Sequence, residues 1–159
     1  MQCHRLKDLK RMTDSELIIR SADLRDIKSI MSLEQGSIVH PWCSKDIESL
    51  IVNNTKKCLV AQVDGEVVGY VGAETVLDEC NIGNIVTAED YRGKGYATEM
   101  FRILLNILTK CGIKKVFLEV ESDNTPAIAL YKKFDFSQYG YRRDYYGQGK
   151  DAILMTKEL

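Results

Sequence analysis

The sequence predicts an α/β fold, a mixed sheet with helices on both faces, and three observations carry that expectation. β-rich runs and stretches of helical periodicity follow one another in the order β-α-α-β-β-β-α-β-α-β-β, the pattern of a sheet covered on two sides. Two of the β-rich runs are joined by Asp64-Gly65, the composition of a tight hairpin turn. The chain of 159 residues has no internal repeat and no interior linker, so residues 16–159 read as one domain able to bury its own core.

Residues 1–15 are polar and basic, with Arg5, Lys7, Lys10 and Arg11, and read as a flexible N-terminal extension. Leu17-Ile18-Ile19 is the first strand. Ser21 or Asp23 can cap a helix that carries Leu24, Ile27, Ile30, Met31 and Leu33 at helical spacing. Pro41-Trp42 interrupts, and Ser44 is expected to cap a second helix through Ile47, Leu50 and Ile51. Cys58 to Val63 and Val67 to Val71 form the hairpin, and a third run spans Cys80 to Thr87. The next helix lines up Ala97, Met100, Phe101, Leu104, Leu105, Leu108 and Cys111 on one face and ends at Gly112. Val116, Leu118 and Val120 then alternate with Phe117, Glu119 and Glu121 along a strand. Asn124 or Thr125 begins the last helix, with Pro126 in its first turn, where a missing N–H costs nothing. Phe136 to Tyr141 and Ala152 to Met155 supply two final antiparallel strands.

Composition narrows the function. Hydrophobic content of 45% and charge of 28% are those of a soluble globular protein. A formal net charge of −1 offers no global attraction for nucleic acid, and no apolar run approaches a membrane span. The five cysteines, Cys3, Cys43, Cys58, Cys80 and Cys111, are odd in number and form no Cys-x-x-Cys pair, so neither a disulfide framework nor a metal site is expected. They read as reduced, mostly core thiols of a cytoplasmic protein. Cys43 lies close to His40, but nothing around the pair suggests a thiol site.

The most informative segment is Asp90-Tyr91-Arg92-Gly93-Lys94-Gly95-Tyr96-Ala97-Thr98. A glycine-rich, basic turn leaves a strand and opens into a long amphipathic helix. Such a junction gathers unpaired N–H groups and the positive end of the helix dipole, which suits a phosphate or pyrophosphate. Taken alone, the segment reads slightly more readily as a helix start with two glycines for an awkward turn. A Walker loop is excluded because Gly95 follows Lys94, and the dinucleotide fingerprint because Thr98 stands where a third small residue belongs. The spacing Arg92-x-x-Gly95-x-Ala97 resembles the coenzyme A pyrophosphate loop of the GNAT superfamily of N-acetyltransferases.

Two residues are candidates for acid–base chemistry. Glu119 interrupts an apolar strand, as either a solvated face or a carboxylate aimed into a cleft, where desolvation would raise its pKa toward that of a useful base. Tyr131 lies in a helical stripe with Leu130 and Phe134, a packing pattern, yet a buried phenol needs a partner. Their context is informative. Leu118-Glu119-Val120 through Asn124, Ala127, Leu130-Tyr131 and Phe136 is similar to the family segment L-E-V-x-x-x-N-x-x-A-x-x-L-Y-x-x-x-G-F, most like its ribosomal-protein-alanine N-acetyltransferase (RimI) branch. Pro41-Trp42, Asn84-Ile85-Val86, Arg142-Arg143-Asp144-Tyr145-Tyr146 and Asp151-Ala152-Ile153-Leu154-Met155 extend the likeness from about Glu16 to the C-terminus.

The resemblance implies the GNAT fold, with a mixed, mostly antiparallel sheet, and acetyl-CoA as co-substrate without a metal. It implies Glu119 as general base and Tyr131 as general acid. Ile85, Val86 and Thr87 would offer backbone groups to the cofactor, Arg92, Gly93, Lys94, Gly95, Tyr96, Ala97 and Thr98 would hold its pyrophosphate, and Asn124 its pantetheine arm. Trp42, Tyr145 and Tyr146 would bind the acceptor, a protein N-terminus on small-subunit ribosomal protein eighteen, and the enzyme would act as a monomer or weak dimer. Other N-termini, lysines or small amines, or a non-catalytic coenzyme-binding module, are the alternatives. The retained pair of Glu119 and Tyr131 argues against the last. Asp135 replaces the family's Gly before Phe136, so that helix is expected to end differently. Gly83 stands where a larger residue is usual and Thr87 where Val is, which alters packing on the acceptor side.

Overall fold

The computed structural model describes residues 16–38 and 40–159. The expected flexible extension, with Cys3 in it, lies outside the described residues. β1 (Leu17–Ser21) leads through one 3₁₀ turn, Leu24–Asp26, into α1 (Ile27–Ser37) and α2 (Ser44–Val52). β2 (Lys56–Val63), β3 (Glu66–Val76) and β4 (Glu79–Thr87) form a meander. α3 (Tyr96–Lys110), β5 (Lys115–Glu121), α4 (Thr125–Lys133), β6 (Ser137–Arg142) and β7 (Ala152–Glu158) complete the predicted order. One seven-stranded sheet results, β1-β2-β3-β4-β5-β7-β6, in which only β4 and β5 are parallel neighbours.

The two faces carry separate cores. Ile30 and Leu33 of α1 and Ile47 and Leu50 of α2 pack on Val60, Tyr70 and Val86. Met100, Phe101, Leu104 and Leu108 of α3, with Tyr131 of α4, pack on Val71, Ile82, Leu118 and Met155. β5 obeys its sequence alternation: Val116, Leu118 and Val120 are buried, whereas Phe117, Glu119 and Glu121 are half-buried on the opposite face, toward α1 and α2.

Local chemistry explains the element ends. Asp64 and Gly65 take φ of 49° and 86°, the two left-handed residues that match a two-residue turn to the twist of its strands. Of the two proposed caps for the first helix, Asp23 serves and Ser21 ends β1. The Asp23 carboxylate accepts from Arg25 N at 2.9 Å, and Asp26 reaches back to Asp23 N at 2.8 Å. Ser44 is not a cap but the first residue of α2. Cys43 stands before it, its N–H and thiol both donating to Asp46 at 3.1 and 3.0 Å. The cysteines also divide differently from expectation. Cys58 and Cys80 are buried, and burial pushes each thiol up to about 12. Cys43 and Cys111 are exposed, the latter because the face of α3 runs out at its C-terminus.

The departure at Asp135 proves milder than expected. α4 ends as α3 does at Gly112, with a left-handed residue past its last turn: φ is 63° at Asp135 and 80° at Gly112. Phe136 N donates to Tyr131 O at 3.1 Å and Asp135 N to Lys132 O at 3.0 Å, the paired bonds of a Schellman end. Aspartate is among the few residues that tolerate this conformation. Asp135→Gly is therefore expected to raise stability by about 0.5–1 kcal/mol by relieving left-handed strain. Chemical denaturation measures it, and a loss of stability would show that the exposed Lys157 ion pair at 3.9 Å matters more than the backbone.

Candidate active site

β4 and β5 pair only from Glu79–Lys115 to Asn81–Phe117 and then part. Beyond that point β4 stays paired with β3, and β5 with β7. The backbone edges facing the gap are left without a strand, and a cleft of about 530 Å³ opens there. Every residue the sequence singled out for cofactor binding lines this cleft except Lys94: Ile85, Val86, Thr87, Arg92, Gly93, Gly95, Tyr96, Ala97, Thr98 and Asn124. The Lys94 ammonium instead lies over the Tyr91 ring, 5.1 Å from its centroid.

The cleft ends on the N-terminus of α3. Gly95 precedes it with φ of 83°, and no side chain caps the first turn, so the N–H groups of Tyr96, Ala97 and Thr98 have no carbonyl behind them. A Cβ built at Gly93 or Gly95 meets nothing within 4 Å, so the room above both glycines is open. Arg92 is fastened rather than free. Its Nε donates to Thr87 O at 3.0 Å and its Nη2 to Ser37 Oγ at 3.3 Å, tying the loop to β4 and to the end of α1. The Thr87 hydroxyl is buried in the cleft wall with no hydrogen-bond partner. Asn124 caps α4 through Oδ1, which accepts from Ala127 N at 3.3 Å, leaving its amide N–H₂ for the cleft.

A second group of side chains, none of them lining that cleft, gathers around Tyr146. Glu119 is on the β5 face toward α1 and α2. Tyr131 is 4% exposed, its ring 5.5 Å from Phe101 and 6.1 Å from Phe136, and burial pushes its hydroxyl up to about 12. Tyr146 connects the two. Its hydroxyl is held well above the usual tyrosine range, first by burial and then by the nearby Glu119 and Glu121 carboxylates, with the neighbouring hydroxyls of Tyr145 and Tyr131 adding to this once ionised. The residue as a whole is 37% exposed. The loop that delivers Tyr146 is built, not slack. Asp151 accepts from Tyr141 Oη and, at 2.9 Å, from Asp144 N, while Asp144 accepts from Gly149 N at 2.6 Å. Tyr145 stacks edge-on against Tyr146 at 4.9 Å and carries the Arg142 guanidinium on its ring at 5.4 Å, a buttress as much as a contact surface.

Opposite β5, the α1–α2 connection is anchored by a residue the sequence reading missed. Glu34 is 0% exposed. Its carboxylate accepts from Tyr70 Oη, from Asn84 Nδ2 at 2.8 Å and from Trp42 N at 3.1 Å. A buried carboxylate is tolerated only with such donors, and together they pin α1, β3, β4 and the Trp42 loop to one another. The apolar spacing of α1 concealed it, because Glu34 follows Leu33 on what looks like a solvated flank. Ser37 and Ile38 also line the cleft unforeseen, brought by a distant helix. Ala127 and Leu130 line it too, and their spacing on α4 one turn apart was a usable signal. Among the described residues no group of His, Cys, Asp and Glu could hold a metal ion.

Fold and cleft together define an acetyltransferase. The chain belongs to the acetyltransferase (GNAT) family, whose model matches residues 24–136. It is an N-acetyltransferase of the RimI type with acetyl-CoA as donor. Among its relatives, a protein of Bacillus subtilis provisionally named a [ribosomal protein bS18]-alanine N-acetyltransferase is 33% identical over 139 residues, 86% of this chain and 92% of the other. The [ribosomal protein bS18]-alanine N-acetyltransferase of Escherichia coli is 31% identical over 87% of this chain and 95% of its own. The crystal structure of the Escherichia coli ribosomal-protein-S18-alanine N-acetyltransferase superposes with a TM-score of 0.83 at 28% identity, covering 90% of this chain and 94% of that one.

The two left-handed glycines at either end of α3 separate strain from ligand contact. Gly95→Ala and Gly112→Ala place the same Cβ in the same conformation, each with open space around it. Both are expected to lose about 1–2 kcal/mol of stability. Only Gly95→Ala is expected to weaken acetyl-CoA binding, by roughly tenfold or more by calorimetry, because its Cβ stands where the anion must approach. Equal affinity in the two variants would move the pyrophosphate elsewhere.

Proposed function

We propose that this chain transfers acetyl from acetyl-CoA to the α-amine of a protein N-terminus, the N-terminal alanine of small-subunit ribosomal protein eighteen, in the cytoplasm. The observation that carries the reading is the parting of β4 and β5, which opens a cleft onto an uncapped helix N-terminus. Glu119, Tyr131 and Tyr146, grouped near one another but not lining that cleft, are assigned to the acceptor end as part of the proposal. The residues fit the donor. The open room above Gly93 and Gly95 and the free N–H groups of α3 suit a pyrophosphate, and the orphaned Thr87 hydroxyl and the Asn124 amide suit a chain of amides. Lys94, resting on the Tyr91 ring, supports the loop. Both walls come from one chain, so a monomer suffices.

Acetyl-CoA, when bound, supplies an activated thioester. The chain's task is to manage protons and charge around it. An α-amine has a reference pKa of roughly 7.7–8.0, against about 10.4 for lysine, so Glu119, directly or through water, needs to remove a proton only weakly held. The unpaired backbone edge of β4 near Val86 offers an N–H to the charge growing on the carbonyl oxygen. Tyr131, kept protonated by burial that pushes its hydroxyl up to about 12, gives its proton to the departing sulfur as the carbon–sulfur bond breaks, so that coenzyme A leaves as the thiol. Tyr146, beside Glu119, and Trp42 flank the acceptor.

Glu119→Gln is expected to lower turnover by roughly 10²–10⁴-fold with acetyl-CoA affinity nearly unchanged, the usual effect of losing a positioned base; wild-type turnover in that variant would remove Glu119 from the mechanism. The acceptor is tested with short peptides analysed by mass. A peptide carrying the ribosomal protein's N-terminus should gain one acetyl group on its α-amine, and blocking that amine should abolish the reaction even when lysines remain. Comparable acetylation of the blocked peptide would sink the N-terminal assignment.

A further inference from the structure

We propose that the indole of Trp42, seated on Gly83 and held by Glu34, limits the size of the first acceptor side chain, so that the site takes α-amines of small N-terminal residues. This rests on the N-terminal reading above. Asn81 and Phe117 are the last paired residues of β4 and β5. Two residues further along each strand, on the face toward α1 and α2, come Gly83 and Glu119. They are the first residues of that face to look across the opening.

β4 is bulged at this step, since Ile82 pairs with Ala73 and Ile85 with Val71, leaving Gly83 and Asn84 opposite Gly72 alone. Asn84 turns to Glu34, and the missing side chain of Gly83 is replaced by Trp42. A Cβ built on Gly83 would stand 3.4 Å from Trp42 Cη2 and 3.4 Å from Gly72 O, the latter backbone that cannot swing aside. The Trp42 ring thus occupies space that a side chain longer than alanine's at position 83 would need, over the β4 residue that faces the opening. Its position is fixed from behind, because Glu34 Oε2 accepts from Trp42 N at 3.1 Å while Oε1 is bound to Tyr70 and Asn84. Glu34 and Gly83 are positioning residues in this arrangement, and Trp42 is the contact.

Trp42 is the sole tryptophan of the chain, so its fluorescence reports the acceptor wall directly. Peptides identical except for a first residue of Ala, Leu or Phe are compared with wild type, Trp42→Ala, Gly83→Leu, Gly83→Ala and Glu34→Gln. In wild type the Ala peptide should be preferred in kcat/KM and should change Trp42 emission on binding. Trp42→Ala should improve Leu and Phe relative to Ala by about tenfold, the scale on which pocket volume discriminates apolar groups. Gly83→Leu, whose side chain extends beyond the Cβ that already touches the ring at 3.4 Å, should displace the indole and raise KM for the Ala peptide several-fold, with kcat and acetyl-CoA affinity nearly unchanged. Gly83→Ala should leave that KM nearly unchanged. Glu34→Gln should shift resting emission and relax the preference in the same sense as Trp42→Ala. An unaltered preference in Trp42→Ala, with no emission change when peptide binds wild type, overturns the inference while leaving N-terminal acetylation standing. Acetylation of lysines or small amines by wild type, and of no peptide α-amine, overturns the N-terminal reading itself and the inference with it.

Discussion

The short parallel pairing of β4 with β5 is the constraint from which the rest of this molecule follows. Three register pairs join the strands, and each then follows its outer partner, β3 or β7. A twisted sheet split this way cannot satisfy the inner edges internally, so their backbone groups face a gap and need solvent or a ligand. The gap receives α3's uncapped first turn on one side and the start of α4 on the other. The open helix end and the orphaned Thr87 hydroxyl thereby line one cleft.

The two sides of the gap are stabilised differently, and this separates their roles. On the α3 and α4 side the core is apolar and aromatic, with Phe101 touching Tyr131, Phe134 and Phe136 at centroid distances of 5.5, 5.2 and 5.6 Å. Such packing fixes Tyr131 through shape alone and desolvates its hydroxyl. On the α1 and α2 side, a buried carboxylate sets the geometry. Glu34 organises Tyr70, Asn84 and Trp42 around the β4 bulge, and Leu50 packs so closely on Gly72 that a Cβ there would meet it at 2.7 Å. A hydrogen-bonded anchor of this kind is directional, since each donor lost leaves charge buried without compensation. The acceptor wall is therefore held to a narrower geometry than apolar contact would enforce.

Arg92 links the two sides. Its guanidinium bonds to Thr87 on β4 and Ser37 at the end of α1, so the glycine loop and the helix leading to Trp42 share one residue. Charge is used here to brace the loop. Lys94, turned onto Tyr91, repeats the pattern. A long cationic side chain in a crowded turn finds carbonyls and aromatic faces close at hand.

Periodicity determined the order of all eleven strands and helices, because alternation at two and at about 3.6 residues is a local property of the chain. The glycine loop and the Glu119 to Tyr131 segment were legible for the same reason: their residues are close in sequence and their spacing sets which side chains share a face. Turn chemistry was partly legible. Asp64-Gly65 behaved as its composition requires, whereas Asp135 showed that a left-handed end does not demand glycine. Tertiary structure alone decided what depended on partners far along the chain. Glu34 meets Tyr70 and Asn84 across 36 and 50 residues, Arg92 meets Ser37 across 55, and the hydroxyl of Tyr146 enters the field of Glu119 only because β6 and β7 return beside β5. No local period encodes such meetings. The parting of β4 and β5 belongs with them, since it is set by which neighbour each strand keeps.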